Sequence, residues 1–334
     1  MNKIKIAQIG TSQNSHGNMV FESLTKNNDL FEFVGYVFPE NEHKKFPEKS
    51  KVFESYRELT LDEVLNNQEI KAVAIETEEI YLSKYALMAA QHKKHIHMEK
   101  PGGLIWSEFE NLIKTVKENK TIFHMGYMYR YNPLIIQLKE QIKNGEFGDI
   151  LSVDAQMSCS HSKEVREWLR TFQGGMMFFL GCHLVDLIFS IQGMPQKIIP
   201  LNKCSGVDGV NSEDFGMVVF EYERGNSFVK TSAVELGGFA RRQLVVSGTK
   251  KTVEIKPLEW FVGGEKLVTT KKTYDSNDWH VLPQIDQSVP IERYSSMIRD
   301  FGDIVLGRKE NIYDYDYELK LYKLILNSCG IKIK

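Results

Sequence analysis

The tripeptide Glu99-Lys100-Pro101 puts a lysine where chemistry can use it. A residue before proline is driven out of helical φ/ψ into the extended region, so Lys100 falls on a strand end or a turn. Ends of parallel strands are where open α/β sheets hold their ligands. Standing alone, the tripeptide would suit an ordinary charged turn as well. His183 is a second candidate, carried on the apolar run 176–191 with Asp186 one turn further on; such a histidine is otherwise a satisfied core residue. A third is the imidazole-rich His92-Lys93-Lys94-His95-Ile96-His97. His95 and His97 would share one strand face, as zinc ligands can, but no third ligand falls in register and cations near a helix C-terminus favour its dipole. No metal is expected. Phe239-Ala240-Arg241-Arg242 offers two arginines to an anionic ligand, or to solvent or an oligomer contact on an exposed sheet face.

The elements that must position these residues alternate up to about residue 125. Strand Ile4 to Ile9, a polar loop and a helix from about His16 to Lys26 lead to strand Phe31 to Phe38. The charged tract Asn41 to Lys51 reads as a solvated loop. A helix over Leu61 to Asn66, strand Ala72 to Ile75, helix Leu82 to Gln91, strand Ile96 to Met98, helix Trp106 to Asn119 and strand Ile122 to Met125 follow. Apolar strands separated by helical periods predict an α/β fold with a doubly wound parallel sheet. Beyond it come a helix near Pro133 to Asn144, strand Ile150 to Met157 and a buried helix over 176–191. Strands near 216–222, 227–234, 242–247, 252–255 and 258–262 suit an open, mostly antiparallel sheet. Helices over Ile291 to Leu306 and Asp316 to Cys329 close the chain. The division expected is a parallel α/β domain over 1–125 and an α+β domain over 126–334, whose last helices can pack back on the first.

Composition sets limits. The 334 residues suffice for two cores. Forty-two basic against 44 acidic side chains, with no basic stripe, argue against a nucleic-acid partner. Four scattered cysteines without C-x-x-C spacing suit a reducing compartment, and the N-terminus enters a strand without an apolar leader, so a cytoplasmic protein is expected. The longest apolar run is short for a membrane span and carries His183 and Asp186, so no membrane partner is expected.

Thr77, a helix, Lys94-His95, an apolar strand and Glu99-Lys100-Pro101 resemble the nicotinamide-side segment of the Gfo/Idh/MocA oxidoreductases, the glucose-fructose oxidoreductase and inositol dehydrogenase family. Gly126-Tyr127-Met128-Tyr129-Arg130-Tyr131-Asn132-Pro133 resembles that family's entry into its second domain, Gly145 to Ile150 the turn that follows, and Gly181-Cys182-His183-Leu184-Val185-Asp186 its G-x-H-x-x-D helix. The resemblance runs along nearly the whole chain in order. It implies a dinucleotide-binding, Rossmann-like domain over 1–125, a substrate-binding and oligomerisation domain over 126–334, a nicotinamide cofactor, and a sugar or polyol substrate.

The chain departs from that family at the cofactor loop. A dinucleotide fingerprint needs glycine at the tight turn, at the approach to pyrophosphate and at the helix–strand contact. Counting from Gly10, those places hold Gly10, Ser12 and Ser15, with Gly17 two residues late. Thr11, Ser12 and Gln13 are the expected loop contacts. The Ser12 hydroxyl can bond phosphate in place of a water, whereas Ser15 suits a helix cap as well as a ligand contact. The acid expected on the ribose hydroxyls aligns with Phe38, and Glu40 two residues on is its substitute. No arginine follows that strand, which favours NAD over NADP.

The family's T-P-N-x-x-H reads Thr77-Glu78-Glu79-Ile80-Tyr81-Leu82 here. Thr77 and Glu79 are assigned beside the nicotinamide with Glu99 and Lys100, and Thr77 alternatively caps the next helix. Family members that oxidise hydroxyls place an aspartate four residues before the histidine, where this chain has Phe179. The mechanism implied gives Lys100 the proton of a carbinol whose hydride leaves for nicotinamide. A lysine with a pKa of about 10.4 is protonated in water, so burial and the cationic ring are expected to lower it. His183 orients the hydroxyl or shares the proton, and Asp186 bonds His183 or lines a polar pocket. Tyr127 and Phe179 complete the substrate side, and Trp168 before Gly174-Gly175 approaches the cofactor or holds a loop. A homodimer or homotetramer through the second sheet is expected. Two rival readings remain: a non-redox sugar-binding relic or regulator of the same fold, and a sugar lyase, glycosidase or epimerase that uses transient oxidation.

Overall fold

The computed structural model describes residues 3–264 and 266–333. They divide into two packed units, one running to Met128 and taking in Tyr294–Leu319, the other comprising Tyr129–Arg293 and the chain from Lys320.

The first unit is built on β1 (Ile4–Ile9), β2 (Phe31–Val37), β3 (Ala72–Ile75), β4 (His95–Met98) and β5 (Phe123–Met125). These pair in parallel in the order β2-β1-β3-β4-β5. All four residues of β3, Ala72-Val73-Ala74-Ile75, are buried, as a strand covered on both faces requires. Helix Trp106–Asn119 buries Phe109, Leu112, Ile113 and Val116, spaced to form one stripe, and ends on a left-handed Lys120. Thr60 and Glu63 close a reciprocal cap at the start of Leu61–Asn66. Phe21, Tyr36 and Phe53, with Phe33 and Phe38 against them, form an aromatic cluster beside β2. Each ring so buried stabilises by roughly 1.5–3 kcal/mol. The strand order reverses between β1 and β3, which makes the C-terminal ends of those two strands the crevice of this sheet.

The second unit holds an eight-stranded mixed sheet. Its strands are β6 (Ile150–Ser158), β7 (Lys197–Pro200), β8 (Phe215–Tyr222), β9 (Gly225–Ser232), β10 (Gln243–Gly248), β11 (Thr252–Ile255), β14 (Thr270–Tyr274) and β15 (Gln284–Gln287). Only β6 and β9 run parallel; every other pair is antiparallel. Alternate residues of β8 are buried, so one face of the sheet meets the core. Against that face lies the apolar run, a π-helical turn Met177–Gly181 followed by helix Cys182–Gln192. π-Helical turns inside helices recur at functional sites.

Three expectations are corrected. Asn41 to Lys51 is not a solvated loop: it folds into short helices, Glu42–Lys45 and Pro47–Ser50, and Glu42 is fully buried. The strand near 258–262 does not extend the large sheet. Pro257, with no N–H to donate, follows β11, and β12 (Trp260–Gly263) pairs instead in a three-stranded sheet with β13 (Lys266–Val268) and β16 (Ile291–Glu292). That pairing takes Ile291 and Glu292 out of the following helix, which begins at Ser295.

Candidate active site

The carboxyl edge of β1, β3 and β4 gathers the chemistry of the first unit. Gly10 turns the chain out of β1 with φ +89°, and a Cβ there would lie 2.5 Å from Thr77 Cα, so only glycine lets the two loops touch. Lys100 follows β4 in a cis peptide with Pro101, is 5% exposed, and has its Nζ 3.5 Å from Glu99 Oε1. The loop beyond is fixed against helix Leu82–Gln91: Ser83 Oγ donates to Gly102 O at 2.8 Å, and a Cβ on Gly103 would strike that hydroxyl.

Three buried carboxylates surround this lysine. Glu99 is its neighbour, and Glu76 and Glu79 leave the end of β3. Burial lifts Glu79 to about 7, with Lys100 opposing the shift and Glu99 and Glu78 adding to it. Burial, reinforced by the Glu99 charge, lifts Glu76 well above the carboxylate range, against the pull of Lys100. Both oxygens of Glu76 and Oε1 of Glu79 are buried without a hydrogen-bond partner. Sequence reasoning missed Glu76, which continues an apolar strand by one polar residue; that break was the available signal.

The glycine-poor loop is closed by its own side chains. Ser12 and Ser15 exchange bonds, Ser12 N to Ser15 Oγ and Ser15 N to Ser12 Oγ, both at 3.2 Å, and Gly17 N donates to Ser15 Oγ at 3.3 Å. Ser15 therefore closes the loop onto the first helical amide. Gln13 is exposed. Thr11 N donates to Glu42 Oε2 at 3.0 Å, and Thr77 Oγ1 donates to Glu42 Oε1, so Thr77 does not cap the helical turn that follows it. Burial lifts Glu42 to about 7 against these bonds. No local signal marks Glu42 within its charged tract. Phe38 packs on Tyr36 and Phe53, with centroids at 4.7 and 5.3 Å, and Glu40 accepts from Lys84 Nζ at 2.6 Å and Tyr85 Oη at 2.8 Å. Tyr127, 1% exposed, lies just past β5. Of the imidazole-rich tract, His95 Nδ1 accepts from Ile122 N, and His97 pairs with His124 at 2.8 Å. Among the described residues no group of His, Cys, Asp or Glu is arranged to hold a metal ion.

In the second unit His183 is buried near the start of helix Cys182–Gln192, edge-on to Tyr129 at 5.4 Å. Asp186 takes a bidentate guanidinium: Arg130 Nε lies 3.1 and 3.0 Å from its two oxygens and Nη2 2.8 Å from Oδ1. Arg130 sits in the quoted domain-entry motif, but its partner could be found only by folding. Phe179 packs on Trp168 at 5.0 Å and faces His161 at 6.3 Å. Arg241 is exposed and pairs with Glu235, as a surface arginine does. Arg242, in contrast, is buried under Phe239 and bound to Glu259, which also accepts from Tyr129 Oη and pairs with Arg293. It has no role at an exposed sheet face.

The crevice suits a nicotinamide group. The partnerless oxygens of Glu76 and Glu79 call for an N–H donor or a positive charge, which a carboxamide and an oxidised pyridinium ring supply. Among the described residues no helix is long and apolar enough to cross a membrane.

Residues 4–127 match the oxidoreductase family with NAD-binding Rossmann fold, and 135–254 match the GFO/IDH/MocA C-terminal domain. The 2,7-anhydro-N-acetylneuraminate hydratase of Escherichia coli is 23% identical over 205 residues, 59% of this chain and 54% of that protein. The scyllo-inositol 2-dehydrogenase (NADP(+)) of Bacillus subtilis is 24% identical over 54% of this chain and 49% of its own length. The chain thus spans about half the length of these curated relatives. Among solved structures, levoglucosan dehydrogenase in complex with NADH and levoglucosan aligns with TM-score 0.80 at 15% identity, covering 98% of both chains. A 3-ketoreductase from Actinomadura kijaniata, in complex with NADP and TDP-benzene, aligns with TM-score 0.77 at 13% identity over 97% of this chain and 96% of that one. With both domain models matched in order over most of its length, the chain belongs to the GFO/IDH/MocA oxidoreductase family and carries an NAD(P)-binding Rossmann domain.

Proposed function

We propose that this protein is an NAD-dependent dehydrogenase that moves a hydride between nicotinamide and a carbinol carbon of a sugar, polyol or derivative. The observation that carries the proposal is Lys100, buried at the carboxyl edge of the parallel sheet with three carboxylates around it. The cofactor, when bound, accepts or returns the hydride. Gly10, Thr11 and Ser12 lie where its phosphates approach, Glu40 serves the ribose, and Thr77, Glu79 and Glu99 border the nicotinamide. Lys100 holds or takes the carbinol proton, and Glu99 beside it supplies a counter-charge to the lysine. In the second unit His183 is assigned to orient the substrate hydroxyl, Phe179 and the Arg130-bound Asp186 to shape its surroundings, and Trp168 to approach the cofactor; Tyr127, just past β5 in the first unit, is assigned to the substrate as well. Choice of NAD over NADP rests on Glu40 and on the absence of an arginine after β2. We assign a homodimer or homotetramer through the second unit's sheets, on the strength of the exposed Trp260, Phe261, Val262 and Ile285. Light scattering that gives a 38.5 kDa particle at micromolar concentration would refute that assembly.

NADH is expected to bind with a dissociation constant on the order of micromolar to a few hundred micromolar. A titration by fluorescence, then a screen of sugars and inositols at the NADH absorbance band, tests the proposal. One observation favours a second reading, a non-redox ligand-binding relic: Glu42 already occupies the Thr11 N–H beside the phosphate loop. Absence of binding by all four nicotinamide nucleotides at millimolar concentration would select it. Turnover of a sugar without net NADH formation would select transient oxidation instead, a chemistry compatible with the hydratase relative.

A further inference from the structure

We propose that Glu76, His97, His124 and Asp300 form a proton relay that links the buried Lys100 cluster to solvent at Lys309. The strands set the placement. His97 stands opposite Ala74 on one side and His124 on the other, and Glu76 follows Ala74 by two residues, so the pleat turns all three side chains to one face. Helix Ser295–Val305 covers that face with Phe301, 5.8 and 5.4 Å from the two imidazole rings, and presents Asp300. Glu76 and His97 are fully buried, His124 is 3% and Asp300 9% exposed, and Lys309 is exposed.

The contacts run in sequence. Glu76 Oε1 is 3.8 Å from His97 Nε2, His97 Nδ1 is 2.8 Å from His124 Nδ1, His124 Nε2 is 3.9 Å from Asp300 Oδ2, and Lys309 Nζ pairs with Asp300 Oδ1. The charges give the chain one polarity. Burial acts to raise Asp300, but His124 and Lys309 outweigh it and hold the group as a carboxylate that can only accept. His124 then carries its proton on Nε2 and leaves Nδ1 as an acceptor. The short contact between the two Nδ1 atoms therefore requires the proton on His97 Nδ1, which leaves His97 Nε2 bare towards Glu76. Burial, and after it His124, keep His97 neutral, well below its ordinary value, while burial and Glu99 keep Glu76 protonated against Lys100. Every donor thus points outward, and the two longer contacts, Glu76 to His97 and His124 to Asp300, must shorten to hydrogen-bond distance for a proton to cross them.

A proton gained by Glu76 moves Glu76 O–H to His97 Nε2, His97 Nδ1–H to His124 Nδ1, and His124 Nε2–H to Asp300, which releases it to water beside Lys309. Only O–H and N–H bonds exchange, and one proton enters for each that leaves. This deepens the dehydrogenase proposal and rests on it for its purpose, since each hydride taken from a carbinol frees one proton that a buried lysine must discharge. The groups facing the relay are Glu79, Glu99 and Lys100 at its inner end and Lys309 at its outer end. None of the four acts on substrate directly; they are positioning and transfer residues.

Nitrogen-15 NMR of the full-length, ligand-free protein tests the relay whether or not a substrate is known. The expected spectrum shows neutral imidazoles with His97 as the Nδ1–H and His124 as the Nε2–H tautomer, assigned with His97→Gln and His124→Gln. Exchange of the His97 Nδ1 proton with solvent should slow by about tenfold or more in Asp300→Asn and in Glu76→Gln, two near-isosteric variants. The opposite tautomers, an imidazolium at neutral pH, or unchanged exchange in both variants would overturn the relay. With a substrate in hand, His124→Gln should add a solvent isotope effect to turnover and leave NADH affinity unchanged. An effect on affinity with no isotope effect marks a structural role and counts against the relay, even with the dehydrogenase proposal intact.

Discussion

The two units bury acidic side chains in opposite ways. In the second, each buried carboxylate at the heart of the network has a guanidinium: Asp186 has Arg130, Glu259 has Arg242 and Arg293, and Asp214 has Arg166 at 3.9 Å with Ser205 donating from N and Oγ. In the first, Glu76, Glu79 and Glu99 share one lysine, and neither carboxyl oxygen of Glu76 has a hydrogen-bond partner. A buried charge with a partner of its own is a structural expense already offset, whereas buried carboxylates without partners cost several kcal/mol unless they stay protonated or meet a ligand. The contrast separates buried charges that are paired within the fold from buried carboxyls left open to a ligand, and it can be pressed from both sides.

The largest effect is expected at Lys100, the cation that those three carboxylates share. Lys100→Ala should lower turnover by roughly 10² to 10⁴, the usual worth of general acid–base catalysis, with far less change in NADH affinity. A substrate whose rate survives that substitution would remove Lys100 from the chemistry. In the second unit Arg130→Ala should instead cost stability, about 3–5 kcal/mol, because Asp186 is left buried and unpaired. Denaturant unfolding checks this, and the double variant Arg130→Met with Asp186→Leu should recover most of the loss. If Arg130→Ala unfolds no more readily than wild type, the pairing is not what holds this region.

A pH experiment sharpens the contrast. Glu42 and Glu79 are both lifted to about 7, above the value of about 4.3 in an unfolded chain. A raised carboxylate contributes stability that is full below the unfolded value and is lost as pH rises through the folded one, so the window is about pH 4 to 7 and the contribution is flat above it. Glu42→Gln should therefore gain on wild type by about 2 kcal/mol between pH 5 and pH 8 in matched urea titrations. A parallel pair of curves would mean that Glu42 is ionised in the fold. The smallest effect is expected at Glu40, whose partner Lys84 is half exposed. Glu40→Ala should weaken NADH by less than about tenfold and narrow its preference over NADPH. Equal affinities for the two nucleotides in wild type would leave Glu40 without that role.

Periodicity and punctuation determined much of this protein before any tertiary contact. The apolar four-residue run at Ala72, the stripe at Phe109, Leu112, Ile113 and Val116 and the proline after Lys100 each act through neighbours within a few residues, so strands, helices and the lysine's place at a strand end were legible. The family motifs from Gly126 to Asp186 were legible for the same reason. Tertiary structure alone decided what the charged residues do. Glu42 lies in a tract as polar as any surface loop, yet the chain folds it under Thr11 and Thr77, some thirty-odd residues away in sequence on either side. Arg130 meets Asp186 across 56 residues, and His97 meets His124 across 27. Hydrophobic patterning reports which face of an element is buried, because burial of apolar area is nondirectional and local in sequence. Pairing of charges and imidazoles depends on distances of a few ångströms between strands, which are set only when the sheet has assembled and excluded water from between them.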